Sequence, residues 1–287
     1  MDWRSKQACH LTYIRSALRA CLKQTTRSCC LVMKLFWLLL LALAQSITGS
    51  AQTPVDRFVR QLVQADFKAV RQAKDSLLTY QRAAIPPLLT LLRDTSFSKL
   101  ENTADLIYPG ATTFYGHGGL VRYDIDWVCV RAAWVLEQLT FQDFGYQDRD
   151  ITEQKLLALL QREYQPAARK GFQPLDVAPK TPQGRLTRYR AVLADSVVRW
   201  WQTQQPEWTK YQALKAALAS SNEARQAAAI HYLRFEKNTC AGLTTAIYEA
   251  ELKPLLLGIK QSASRAAKQA SYLLDETTQD GIAPASR

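Results

Sequence analysis

The chain has 287 residues, of which 47% are hydrophobic and 22% charged, and carries a formal net charge of +12. Residues 1 to 51 hold seven Lys/Arg and a single acid, so the remainder has 30 bases against 24 acids. A mildly basic chain whose bases are interspersed with acids lacks the dense cationic stripe of a nucleic-acid binder, and no nucleic-acid partner is expected.

The first informative stretch is Lys34-Leu-Phe-Trp-Leu-Leu-Leu-Leu-Ala-Leu-Ala44. One positive residue followed by about ten apolar ones is the size of a signal-peptide core and too short to span a bilayer. Gly49-Ser50-Ala51 offers a cleavage site, with Ala44 as a second choice, so residues 33 to 51 read as a signal peptide and the mature chain begins near Gln52. Export to the periplasm or beyond follows, with no membrane span in the mature chain. Residues 1 to 32 carry six of those bases ahead of the second methionine, Met33, and fit a gene start placed too far upstream. Of six cysteines only Cys129 and Cys240 lie beyond the leader. Both fall in or beside helical patterns and read as buried free thiols, one disulfide being the alternative in an oxidising compartment.

From Val55 to Tyr80 apolar residues recur at three- and four-residue steps, which predicts one amphipathic helix opened by Pro54. Ile85 to Arg93 predicts a second helix with prolines near its start. The stretch from 95 to 125 has no helical period and carries Gly110, Gly116, Gly118 and Gly119, so it reads as a long loop. Asp126 stands where an N-cap would open the next helix at Trp127. In that helix only Arg131, Glu137 and Gln138 interrupt the apolar run to Leu139, which predicts a central, sandwiched element.

Ile151 to Tyr164 predicts a helix closed by Pro166, and residues 166 to 185 a turn-rich connector. Helix resumes from Leu186 to Gln204, its Trp200-Trp201 packing inward with Trp208. Four more helices follow, near 208 to 219, 222 to 235, 242 to 258 and 262 to 276. No stretch alternates like a strand, so the expected fold is all-α, with residues 52 to 287 as one domain.

The paired helices share a pattern. Ile85-Pro-Pro and Leu252-Lys-Pro254 put proline early in a first helix. The second helices open alike, at Asp126-Trp-Val-Cys-Val-Arg131-Ala-Ala, Ser221-Asn-Glu-Ala-Arg225-Gln-Ala-Ala and Ser262-Ala-Ser-Arg265-Ala-Ala, with Arg188 or Arg190 as a degraded counterpart between. This resembles the HEAT family of α-solenoid repeats. The resemblance implies an α-α superhelix of roughly three to four antiparallel helix pairs, with Asp126, Arg131, Arg225 and Arg265 as structural repeat residues and the acid and arginine tying adjacent units together. It also implies a surface presented to a partner. The departure from the family is the insertion between Asp94 and Asp126, where a repeat has a short turn.

That insertion is therefore the expected partner-binding loop, through Tyr108, Phe114, Tyr115, His117, Arg122 and Asp124, acting with the concave helical face on a protein or peptide. Its glycines lack the Lys-Ser/Thr of a phosphate-binding loop and follow no strand. His117 beside Asp124 makes a metal-dependent or hydrolytic centre the alternative, although one histidine with nearby carboxylates is a sparse ligand set. A structural cell-envelope protein without a discrete site is the third reading. No catalytic residue, metal or cofactor is assigned, and Cys129, inside an apolar helix, reads as packing.

Overall fold

The computed structural model describes residues 53–113, 115, 118–168, 179–236 and 240–280. Residues 1 to 52, where the leader and its cleavage site are expected, lie outside them. The described residues are mostly helical, and none of their helices is long and apolar enough to cross a membrane.

Helix α1 (Pro54–Leu62) opens with a capping box: the Asp56 amide donates to Thr53 Oγ1 at 3.3 Å and the Thr53 amide to Asp56 Oδ2 at 3.0 Å. Helix α2 (Phe67–Tyr80) follows after a break, which corrects the expectation of one helix from Val55 to Tyr80. Two groups enforce the break. Asp66 turns its carboxylate onto the Ala69 amide at 3.1 Å as a new N-cap. The backbone of Ala65 to Phe67 pairs with Glu101, whose amide donates to the Ala65 carbonyl at 2.8 Å and whose carbonyl accepts from the Phe67 amide at 3.3 Å. Periodicity alone cannot see this, because Leu62, Val70, Ala73 and Leu77 keep to one buried face on both sides of it.

A 3₁₀ turn, Gln81–Ala84, leads into α3 (Ile85–Leu91). The insertion then contains a two-stranded parallel pair, β1 (Leu106–Ile107) with β2 (Gly119–Leu120), where the sequence showed no strand. Two residues a strand are too few to leave a period in the sequence. Helix α4 (Val128–Thr140) is central as expected, with every residue but Gln138 buried. Its N-cap is Trp127, and no side chain caps it, so the capping role expected of Asp126 is not the one it plays.

Helix α5 (Glu153–Ala168) runs past Pro166, where it was expected to stop, and α6 (Pro182–Gln204) starts four residues ahead of Leu186, capped by Thr181. The middle of the expected connector, 169 to 178, lies outside the described residues. Helices α7 (Lys210–Leu218) and α8 (Glu223–Phe235) match their expected spans closely, and Asn222 caps α8. The helix expected from 242 to 258 is instead a short α9 (Thr245–Ile247), a π turn at Tyr248–Leu252 and α10 (Lys253–Lys260). The π turn lets Pro254, which lacks an amide proton, enter without forfeiting a bond inside a regular helix. Helix α11 (Arg265–Asp280) closes the described chain.

Neighbours in sequence pack in pairs: α1 on α2, α3 on α4, α5 on α6, α7 on α8, and α10 on α11, with α11 also against α8. Helix α4 also meets α1, α2 and α7. Trp201 and Trp208 are buried and meet edge to face at 5.9 Å, with Trp200 half-buried against Phe144, as the sequence led one to expect. Cys129 and Cys240 are both buried free thiols. Burial pushes both thiols above their ordinary range, which keeps them as inert packing.

Candidate functional site

The insertion is fastened by two residues, Arg131 in the first turn of α4 and Asp126 just ahead of its N-cap. Arg131 is wholly buried and donates to carbonyls only: Nη1 to Leu62 at 3.1 Å and Gln64 at 2.7 Å, Nη2 to Ser98 at 2.5 Å, Nε to Ile125 at 2.5 Å. It thereby satisfies the carbonyls left over where α1 ends and the insertion begins. Burial pulls its guanidinium down to about 10, against the favourable charge of Asp126, and it remains cationic at neutral pH.

Asp126 accepts from the Leu100 amide at 2.8 Å, from Tyr108 Oη at 3.0 Å and from Lys99 Nζ at 2.9 Å. Lys99 also donates to the Gly110 carbonyl. Partial burial works against the Lys99 charge, but the bonds to Asp126 and Tyr108 prevail and its pKa is raised. Arg131 thus joins the end of α1 to the insertion, and Asp126 takes hold of the insertion itself. Glycine is required at two places in it. A Cβ on Gly110 would stand 2.4 Å from Asp126 Oδ2, and one on Gly118 would stand 2.5 Å from the Asp105 carbonyl oxygen.

The six expected loop residues do not form one surface. Tyr108 is buried beneath the loop as part of its fastening. Tyr115 is 73% exposed, its amide donating to the Ala104 carbonyl at 3.0 Å. Arg122 is exposed, whereas Asp124 is buried, 3.6 Å from Arg149. Phe114 and His117 lie outside the described residues, and with them half of the His117–Asp124 alternative. Among the described residues no three His, Cys, Asp or Glu side chains gather as a metal-ion site.

Two recesses adjoin across Trp134 and Val121, which line both. The first, about 310 Å³, is walled by Leu120, Arg122, Tyr123, Glu137, Gln147 and Arg225. Glu137 is buried on α4, accepting from Tyr123 Oη at 2.5 Å and the Phe144 amide at 2.9 Å. Burial raises its carboxyl to about 7, although both hydrogen bonds favour the charged form. Tyr123 is pushed far above its usual range by burial and then by the Glu137 charge, so its hydroxyl stays a donor. Gln147 Nε2 donates to the same hydroxyl at 3.2 Å.

The second recess, about 470 Å³, lies between α2 and the insertion. Phe67, Leu106, Val121 and Trp134 supply apolar surface, and Lys68, Arg71 and Lys74 line the side formed by α2. Sequence reasoning passed over both Glu137 and these cations. An acid inside an otherwise apolar helix was the available signal for the first. For the second it was three bases at three-residue steps, which read as an ordinary solvent face.

Helix α4 ends on cations drawn from later helices. Lys210, 5% exposed, donates to the carbonyls of Gln138 at 3.1 Å and Leu139 at 3.0 Å, while Arg225 Nε donates to that of Phe141 at 3.0 Å. Phe141 itself adopts the left-handed conformation at φ 52°. Lys210 Nζ stands over the rings of Phe141 and Tyr232 at 4.3 and 4.6 Å. Burial lowers its pKa to about 8, with the charge of Glu236 opposing. Comparison of the chain with protein-family models, with curated proteins and with solved structures finds no match.

Proposed function

We propose that the chain is an exported, non-catalytic scaffold of HEAT-like helix pairs that binds a protein or peptide where the 95 to 125 insertion meets the helical face around Trp134. The observation that carries this reading is the pair of adjoining recesses on either side of Trp134, each bounded by α4 and the insertion together. A loop held from beneath by Asp126 and Arg131 is a preformed wall, and a preformed wall saves ordering cost on binding. The repeat assignment is supported by the pairwise packing and by a shared habit of two arginines. Arg131 serves carbonyls where α1 ends and Arg225 one where α4 ends, from matching places near the start of α4 and α8.

The test is affinity capture from the cell-envelope fraction with the mature chain, comparing wild type with Leu120→Asp, Arg122→Glu. Both residues are exposed, Leu120 at 68%. The double variant is expected to keep the far-UV helical signal and melting temperature and to lose the captured partner. Undiminished capture would place the binding surface outside the recess that these two residues line. Export is tested separately by N-terminal sequencing of the secreted or periplasmic protein, which should begin near Gln52.

A further inference from the structure

We propose that the 470 Å³ recess between α2 and the insertion docks an acidic peptide segment bearing one apolar anchor residue, an inference that rests on the peptide-binding reading above. Three observations converge on that occupant. The apolar surface of Phe67, Leu106, Val121 and Trp134 gives a hydrophobic side chain somewhere to bury, in a volume within the usual range for ligand pockets.

The second observation is charge. Lys68, Arg71 and Lys74 follow at three-residue steps and so share one face of α2. Lys74 is already engaged, with Asp75 at 2.8 Å, with Gln138 Oε1 at 3.3 Å and over the Trp134 ring at 5.1 Å. Lys68 and Arg71 are exposed and form no ion pair among the described residues. Asp105, on the insertion, is the recess's other carboxylate besides Asp75. Among the lining residues three cations stand against two acids, one of them held by Lys74. Lys68 also acts on Asp66 at the start of α2, but Arg71 is left without an ion pair among the described residues, a local charge that carboxylates complement.

The third observation is shape. A shallower groove continues from the recess along α2, lined by Lys68, Arg71, Gln72, Asp75, Ser76 and Thr79. A track leading out of an anchor pocket fits an extended segment better than a compact anion. The cations lie along a single helix beside a recess, not across a broad face, which favours a peptide over a nucleic-acid backbone or a membrane surface.

The experiment is fluorescence anisotropy with the mature chain and a labelled nonapeptide, Gly-Glu-Glu-Glu-Phe-Glu-Glu-Glu-Gly. Binding is expected to weaken about tenfold when the central Phe is replaced by Gly, and about tenfold in Lys68→Glu, Arg71→Glu. Lys268→Glu, an exposed position on α11, should leave it unchanged. Added salt should weaken binding by wild type. The proposal is overturned if the peptide does not bind, if the Phe and Gly peptides bind alike, or if the double variant binds as wild type. Tighter binding of single-stranded DNA or anionic vesicles through Lys68 and Arg71 would overturn it equally. The two readings separate in envelope capture. A partner retained by Lys68→Glu, Arg71→Glu but lost by the Leu120, Arg122 variant sinks this inference alone, whereas undiminished capture by both variants sinks the broader one.

Discussion

Arg131 and Asp126 grip alternate residues of one segment from opposite polarities: Nη2 of Arg131 donates to the Ser98 carbonyl, and Oδ1 of Asp126 accepts the Leu100 amide. Between them the chain also returns a bond to the backbone, the Ser98 amide donating to the Asp126 carbonyl at 2.8 Å. Replacing Arg131 by Met keeps much of the side chain's bulk but strands four carbonyls. The expected loss is about 3–5 kcal/mol, read from the urea midpoint, because unsatisfied buried acceptors carry their full desolvation cost. Arg131→Lys should fall between, since one ammonium reaches fewer of the four.

Asp126→Ala removes the acceptor shared by Leu100, Tyr108 and Lys99. Global stability should fall by about 2–4 kcal/mol, and amide exchange at Leu100 should accelerate beyond what that global loss explains. Exchange rising only in step with global unfolding would mean that the insertion is held by other contacts.

Glu137 gives the fold a pH dependence of definite sign. Its carboxyl titrates at about 7 in the folded chain against an ordinary value of 4.5. Between those values the native state holds a proton that the unfolded state has released. The stability this contributes is complete below 4.5 and is lost as pH rises through 7, a change on the order of 3 kcal/mol. The urea midpoint should therefore drop between pH 5 and 8 in wild type, and Glu137→Gln should flatten that drop while retaining an acceptor for the Phe144 amide.

Gly118→Ala tests the close approach of the two strands. The added methyl meets the Asp105 backbone, which is fixed by its own bond from the Gly119 amide at 2.9 Å. A cost of about 1–3 kcal/mol is expected by calorimetry. Gly258→Ala is the counterpart, since a Cβ there meets nothing within 4 Å and the position lies inside α10, so that change should stabilise slightly.

The helices were legible in the sequence because burial writes itself as a period: Leu214 and Leu218, or Ile230 and Leu233, announce their faces unaided. The central place of α4 was legible for the same reason. What escaped were features made by long-range hydrogen bonds. The break before Asp66 depends on Glu101, and Asp126 is bonded to the Leu100 amide, Tyr108 and Lys99, none of which a spacing rule connects to it. An aspartate one residue before a helix looks like a cap whether or not it turns the other way. Of the residues expected to form the site, Tyr108 and Asp124 proved buried, because a long insertion must spend aromatic and acidic side chains on holding itself down. Glu137, Lys68 and Arg71 were visible as letters, but their meaning depended on which faces come together.

The cations at the end of α4 bear on how the chain acquires its structure. Lys210 reaches back 72 residues to Gln138, and Arg225 reaches back 84 to Phe141. The central helix therefore emerges from synthesis with its last carbonyls unserved and completes its terminus only after α7 and α8 exist. Contacts of that span make folding slower and more all-or-none than in an array that zips unit by unit. A chain cut back into α8 or α7 should then lose the helical signal of α4 as well, in one step, by far-UV circular dichroism.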